Sequence, residues 1–190
     1  QRIKIAKTDL EVSKMCMGGC PLGGYGWGDT HREELISAVR TAFDNGINFF
    51  DTADTYGPGE SERTLSEALG DNLNKAVITA KCGVRIENGK TFYENGESYI
   101  EKALGESLKR LKRDYVDIYL VHYRDGVTPL AEVANSLEKL KAQGKIRYYG
   151  LSNIYEKDRQ EIKDLKVNPF VCFQDEYSLA CRKNEKDMIA

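Results

Sequence analysis

The chain has 190 residues, of which 41% are apolar and 31% are charged, a composition typical of a folded globular domain. Its 28 Lys and Arg residues nearly balance its 30 Asp and Glu residues, which excludes an extensive basic surface for nucleic acid or for a membrane. No apolar stretch approaches the ~18 residues needed to cross a bilayer, and the N-terminus lacks the organisation of a signal peptide. We therefore expect a soluble, cytoplasmic protein.

The N-terminal part predicts a β-hairpin followed by a first core strand and a helix. Residues 2–12 alternate around a short turn, and residues 15–19 form the first candidate core strand. A Gly-rich loop separates this strand from Thr30 and Glu33, whose spacing is that of a capping box. The helix that follows is predicted to end at the Gly46 turn.

Strands and helices then alternate to the end of the chain. The predicted strands occupy residues 47–51, 76–81, 116–121, 148–151 and 170–174. The predicted helices occupy residues 61–69, a segment with a capping box at Ser98 and Glu101, a segment that begins at Thr128-Pro129, residues 157–165, and a segment that begins at Arg182. A polar, Gly-rich insertion follows the strand at 76–81. Strands separated by helices of this length indicate βαβ units and a parallel sheet.

A parallel sheet of this kind is either an open, doubly wound sheet or a (β/α) barrel. A doubly wound dinucleotide-binding fold is expected to carry G-x-G-x-x-G after its first strand, and residues 23–28 do not have that spacing. The missing motif weakens that alternative without removing it. No composition shift, linker or low-complexity tract divides the chain, so we predict a single domain over residues 1–190.

Unusual polar residues stand where four of the predicted strands end. These residues are Asp51 with the following loop to Gly57, Lys81, His122 with Tyr123, and Ser152 with Asn153. Ligands of parallel α/β proteins gather at the carboxyl ends of the strands, and in a barrel these ends meet at one mouth.

The residue types at these strand ends suit the reduction of a carbonyl group. An ammonium beside the phenol of Tyr56 is expected to lower the pKa of that phenol, and the carboxylate of Asp51 is expected to hold the ammonium of Lys81. A histidine within reach can orient a substrate oxygen or relay a proton. Taken singly, each residue also has a structural interpretation: a turn cap for Asp51, loop packing for Tyr56, a solvated strand end for Lys81, a core histidine for His122, and a helix cap for Ser152 and Asn153.

The same residues lie in motifs that resemble those of a known family. Residues 46–57 (Gly-Ile-Asn-Phe-Phe-Asp-Thr-Ala-Asp-Thr-Tyr-Gly) are similar to the strand-two signature of the aldo-keto reductases. Lys81 in residues 78–81, His122 in residues 117–122 and the Gly-Leu-Ser-Asn segment 150–153 resemble further family motifs in the expected order. The resemblance implies a (β/α)8 barrel that uses NADPH, and within these motifs it favours the catalytic interpretation.

The resemblance also implies a role for each residue. Hydride passes from the nicotinamide to the carbonyl carbon of a small carbonyl substrate, Tyr56 protonates the oxygen, Lys81 and Asp51 tune Tyr56, and His122 positions the carbonyl. The implied cofactor contacts are Gly19, Asp51, Ser152, Asn153 and Gln174. Tyr25, Trp27 and Tyr123 are candidates for the substrate pocket, with local loop packing as the alternative for the first two.

No metal site is expected, because the scattered cysteines lack a partner set with tetrahedral ligand spacing, and reduced thiols fit best. A (β/α)8 barrel typically needs about 250 residues. With six predicted strands, the chain is expected to form an incomplete barrel of about six β/α units with an N-terminal hairpin. It is then a part of a longer protein, a short homologue whose open edges are covered by a homo-oligomer, or a weakly active or inactive barrel that acts as a scaffold or subunit.

Overall fold

The computed structural model describes residues 1–24 and 26–185. Its strands are β1 (Arg2–Lys4), β2 (Glu11–Ser13), β3 (Met17–Gly18), β4 (Phe49–Asp51), β5 (Val77–Cys82), β6 (Val84–Glu87), β7 (Lys90–Tyr93), β8 (Val116–Val121), β9 (Ile146–Ser152) and β10 (Cys172–Gln174). Its α-helices are α1 (Arg32–Asp44), α2 (Glu60–Leu69), α3 (Glu97–Leu111), α4 (Leu130–Ala142) and α5 (Glu156–Asp164). No helix within these residues is both long and apolar enough to span a bilayer.

The central sheet has six strands in the order β3, β4, β5, β8, β9, β10, and all neighbours are parallel. The order in space follows the order along the chain, as in a barrel, whereas a doubly wound sheet reverses its order part-way across. The sheet is a partial barrel, and the predicted incomplete (β/α)8 fold is confirmed. Strands β3 and β10 are its two edges in the described part of the chain.

Apolar side chains fill both faces of the sheet. The larger cluster lies between the strands and the helices and includes Ile78 of β5, Leu104 of α3 and Tyr149 of β9. The smaller cluster lies on the opposite, concave face, where Leu10 and Val12 of the N-terminal hairpin pack against the sheet. The predicted hairpin is therefore confirmed, and it closes the end of the partial barrel where the strands begin.

Both predicted capping boxes are wrong. Helix α1 begins at Arg32, one residue later than a Thr30 cap requires, and the N-cap residue His31 contributes only its backbone carbonyl. Helix α3 begins at Glu97, so Ser98 already lies in the first turn. Tertiary bonds that are not visible in a local pattern set these starts: Arg32, for example, bonds side chains of α2. The helix predicted from Arg182 lies mostly outside the described residues.

The polar insertion after β5 forms a hairpin that the sequence-based interpretation missed. Strands β6 and β7 pair in antiparallel register across Asn88 and Gly89, whose φ angles are 51° and 73°. Positive φ at both central positions is the mark of a type I′ turn, for which Asn-Gly is a strong sequence signal. The hairpin leads directly into α3 and stands beside the carboxyl ends of β5 and β8.

Candidate active site

The structure brings together four side chains from separate segments at the carboxyl edge of the sheet. Asp51 is the last residue of β4, Lys81 lies near the end of β5, and His122 directly follows β8. Tyr56 is carried by the loop between β4 and α2. The parallel arrangement of the strands explains the convergence, because each strand delivers its final residues to the same edge.

Lys81 is the centre of this cluster. Its side chain is 1% exposed, and its Nζ donates to Asp51 Oδ1 at 2.5 Å, to the Thr52 carbonyl oxygen at 3.1 Å and to the Tyr56 hydroxyl at 3.3 Å. An ammonium has three donors, so these contacts use its full capacity. Asp51 supplies the carboxylate that a buried ammonium needs as its counter-ion.

The pKa of Tyr56 departs from expectation. Burial is the main cause that raises the pKa of this phenol well above its usual value, and the carboxylate of Asp51 raises it further. The expected lowering of this pKa by the lysine is therefore wrong for this structure, because burial raises it and because Asp51 bonds the same ammonium and offsets its charge. The phenol of Tyr56 is protonated at neutral pH.

His122 is buried next to Tyr56. Burial lowers the pKa of its imidazole to about 3, with the Lys81 ammonium as a further cause, so the ring is neutral at physiological pH. The ring centroids of His122 and Tyr56 are 5.7 Å apart, and the two ring planes are nearly perpendicular. The Nδ1 atom of His122 is buried and has no hydrogen-bond partner within the described part of the chain.

Three residues to which the resemblance gives a cofactor role lie at the ends of the neighbouring strands or directly after them. Ser152 ends β9, and Asn153 follows it with a φ of 52° and donates from Nδ2 to the His122 carbonyl oxygen at 3.1 Å. Gln174 ends β10, and its Nε2 donates to Asp51 Oδ2 at 2.9 Å. The alternative of a helix cap at Ser152 and Asn153 is wrong, because α5 begins at Glu156.

Gly19 lies directly behind Asp51. A Cβ at this buried glycine would collide with the Asp51 carbonyl oxygen and would stand 2.8 Å from Ser61 Oγ. Ser61 Oγ in turn donates to the Gly19 carbonyl oxygen at 2.7 Å and lies 2.8 Å from Thr52 Oγ1. The absence of a side chain at Gly19 lets the loop after β3 pack closely against the strand that carries Asp51.

The three aromatic candidates for the substrate pocket differ in their surroundings, and one of them lies outside the described residues. Tyr123 stacks between His122 and Tyr93, with ring centroids 5.1 Å and 5.3 Å away. Trp27 is 56% exposed on the Gly-rich loop, and Tyr25 lies outside the described residues. Tyr93 belongs to the missed β6–β7 hairpin, and the Asn-Gly turn is the signal by which it could have been found.

A partial parallel barrel with a carboxylate, an ammonium, a phenol and an imidazole gathered at its mouth defines a protein of the (β/α)-barrel class. Residues 14–190 match the model of the aldo/keto reductase family, and the chain belongs to that family. The aldo-keto reductase YhdN of Bacillus subtilis is 32% identical over 187 residues, which cover 97% of this chain and 56% of that protein.

Solved structures of aldo-keto reductases are also similar to this chain. The holo form of aldo-keto reductase AKR11C1 from Bacillus halodurans superposes with a TM-score of 0.86 at 31% identity and covers 98% of this chain and 60% of the other. An aldo-keto reductase from Klebsiella pneumoniae in complex with NADPH gives a TM-score of 0.78 at 29% identity and covers 94% and 59%. The chain thus spans a little over half the length of these relatives.

Proposed function

We propose that this chain carries the acid-base groups for reduction of an aldehyde or ketone to an alcohol, with NADPH as the hydride source. The observation that carries the proposal is the buried Lys81 ammonium, which joins the carboxylate of Asp51 to the phenol of Tyr56. A relative of similar fold in complex with NADPH supports the choice of cofactor.

Tyr56 is the proposed proton donor. Its raised pKa keeps the phenol protonated at neutral pH, so the proton is present when negative charge develops on the carbonyl oxygen. The Lys81 ammonium at 3.3 Å stabilises the phenolate that proton transfer leaves behind. Asp51 holds the ammonium in place through the 2.5 Å contact. The site thus opposes loss of the proton in the resting state and supports it only when a substrate oxygen accepts it.

His122 is proposed to position the substrate oxygen. Because its imidazole is neutral, it acts as a hydrogen-bonding group rather than as a cation. Its ring packs nearly perpendicular to that of Tyr56, with 5.7 Å between the ring centroids, which supports a joint role for the two side chains at the mouth. Tyr123 stacks on the imidazole and is proposed, with Tyr25 and Trp27, to contact the apolar body of the substrate.

The residues at the ends of β9 and β10 fit a nicotinamide carboxamide, which both donates and accepts hydrogen bonds. Ser152 offers a hydroxyl, and the amide oxygens of Asn153 and Gln174 accept no hydrogen bond from any described residue. Bound NADPH supplies the hydride. Gln174 is proposed to exchange its bond to Asp51 for one to the carboxamide, while Gly19 lets the adjoining loop pack close to Asp51.

The test is NADPH oxidation with an aromatic aldehyde. The variant Tyr56→Phe removes the proton but keeps the ring, and we expect its kcat to fall by about 10²-fold or more. Tyr115→Phe is the matched control. Tyr115 directly precedes β8, so it lies where the strands begin, at the end of the sheet opposite to Tyr56. Equal turnover in Tyr56→Phe and in the unchanged chain contradicts the mechanism.

A second candidate function is that of a non-catalytic subunit that works by association. The observation that favours it is the pair of open edges, since β3 and β10 each pair with one neighbour among the described residues. This candidate predicts a stable homo-oligomer and no NADPH-dependent quenching of Trp27 fluorescence. Light scattering combined with a nucleotide titration separates the two, because a compact monomer that binds NADPH tightly contradicts the subunit function.

A further inference from the structure

A second cavity lies on the outer side of the sheet, between the β6–β7 hairpin and α3. Its volume is about 520 Å³, within the range of small-molecule sites. Its inner wall is formed by Asp54, Thr55 and Pro58, which belong to the loop that carries Tyr56. None of the four proposed catalytic side chains lines it, so it is separate from the barrel mouth.

Asp54 is the polar group at the base of this cavity. Its Oδ1 atom is buried and has no hydrogen-bond partner among residues 1–24 and 26–185. Burial is the main cause that raises the pKa of Asp54 to about 7, and Glu62 raises it further. An orphaned buried carboxylate oxygen is costly, and it indicates a missing partner such as a ligand or an ordered water.

The two cations that act on Asp54 are engaged by other carboxylates. Arg110 donates from Nε to Glu62, a fully buried residue of α2. Lys81 is bound to Asp51 at 2.5 Å. Asp54 therefore lacks a counter-ion of its own, and the interior behind the cavity holds one negative charge more than its cations offset.

The rim of the cavity does not supply the missing positive charge. Arg85 is ion-paired with Glu87 at 2.9 Å and with Glu94 at 3.3 Å, and its buried Nε makes no hydrogen bond to a described residue. Lys102 stands on the exposed side of α3, where solvent screens its charge. The remaining wall includes apolar groups, among them Val84, Tyr99 and Ala103. The wall of the cavity thus combines apolar side chains with one carboxylate, that of Asp54, whose charge no cation offsets.

We propose that this outer cavity binds a small organic cation, a primary amine on a compact apolar body, with its ammonium donating to the Asp54 carboxylate. An ammonium supplies both the donor and the positive charge that Asp54 lacks, and the apolar wall receives the body of the ligand. The charge count uses the Lys81–Asp51 ion pair only as a structural contact, and none of the four proposed catalytic side chains lines the cavity, so the inference does not depend on the proposed function.

The test is an NMR titration of the ¹⁵N-labelled chain with benzylamine at about pH 8, where Asp54 is ionised. Saturable shifts are expected at Asp54, Val84 and Ala103. Benzamide, a neutral molecule of similar shape, is expected to leave them unchanged. Saturable shifts with benzamide, shifts at Ser152 instead, or no saturable shifts with benzylamine overturn the proposal.

Two variants complete the test. Asp54→Asn is expected to weaken benzylamine binding by about thirtyfold or more, because it removes one partner of a buried charge pair. Asp44→Asn, at an exposed position of α1, is the matched control and should bind as the unchanged chain does. Ala103→Phe keeps every charge and fills the cavity, and it should also abolish binding. Undiminished binding in folded Asp54→Asn or in Ala103→Phe overturns the proposal.

Discussion

Removal of the Lys81 ammonium is the sharpest test of how the site is built. The variant Lys81→Met keeps the length of the side chain and deletes its charge. In the structure, Nζ of Lys81 and Oδ1 of Asp51 are 2.5 Å apart, and the Lys81 side chain is 1% exposed. Opposite charges at this distance attract by about 7 kcal/mol at an effective dielectric constant near 20, and desolvation of both groups offsets most of that attraction.

Removal of one partner lowers the free energy of unfolding by more than the pair as a whole contributes to it. In Lys81→Met, the Asp51 carboxylate stays buried with Gln174 as its remaining side-chain donor. We expect the free energy of unfolding to fall by about 3 to 5 kcal/mol. Asp51→Asn should cost a similar amount, because it leaves the ammonium without its counter-ion. The double variant carries neither charge, so its loss should be about 2 kcal/mol smaller than the sum of the two single losses.

Urea unfolding followed by far-ultraviolet circular dichroism measures these differences. Lys109→Met is the control, since Lys109 pairs with Glu106 on the surface of α3, and its unfolding midpoint should be unchanged. Strict additivity of the two single losses would refute the reasoning, because it would mean that Lys81 and Asp51 do not interact in solution. A loss in Lys81→Met no larger than in Lys109→Met would refute it as well.

Three further predictions concern the backbone and the titration of the site. Gly57→Ala should destabilise the chain by about 1 to 3 kcal/mol in urea unfolding, because Gly57 has a φ of 60° and a Cβ there would collide with the Gly23 carbonyl oxygen. Gly105→Ala, inside α3 with open space around the new Cβ, should instead stabilise it by about 1 kcal/mol in the same assay. The imidazole of His122 has a pKa lowered to about 3, so the unfolded chain binds more protons between that pH and about 6.5, and the contribution of His122 to stability should fall as the pH drops through this window. An imidazole of His122 that titrates near pH 6.5 by NMR would contradict the described burial.

Local patterns were sufficient for the order of the six sheet strands and of the five α-helices between them. The alternation of short apolar runs with amphipathic helical segments predicted the six parallel strands, because burial on both faces leaves a continuous apolar run in the sequence. The N-terminal hairpin was predicted from alternation around a short turn, and α4 from the Thr128-Pro129 start, and both are present. The two capping boxes failed, because the start of α1 and that of α3 depend on contacts with other segments, as Arg32 shows in its bonds to α2.

The sequence by itself determined which chemical groups the chain offers: Asp51, Tyr56, Lys81 and His122 each follow or end an apolar strand, and parallel strands end at one edge. Only the tertiary structure decided how those groups behave. The pKa of Tyr56 is raised rather than lowered, because burial and the shared carboxylate outweigh the ammonium. Gln174 bonds Asp51 across 123 positions of the chain, and the isolation of Asp54 from a counter-ion depends on pairs made by other residues. Charge balance and desolvation are properties of a packed environment, and no local run of sequence contains them.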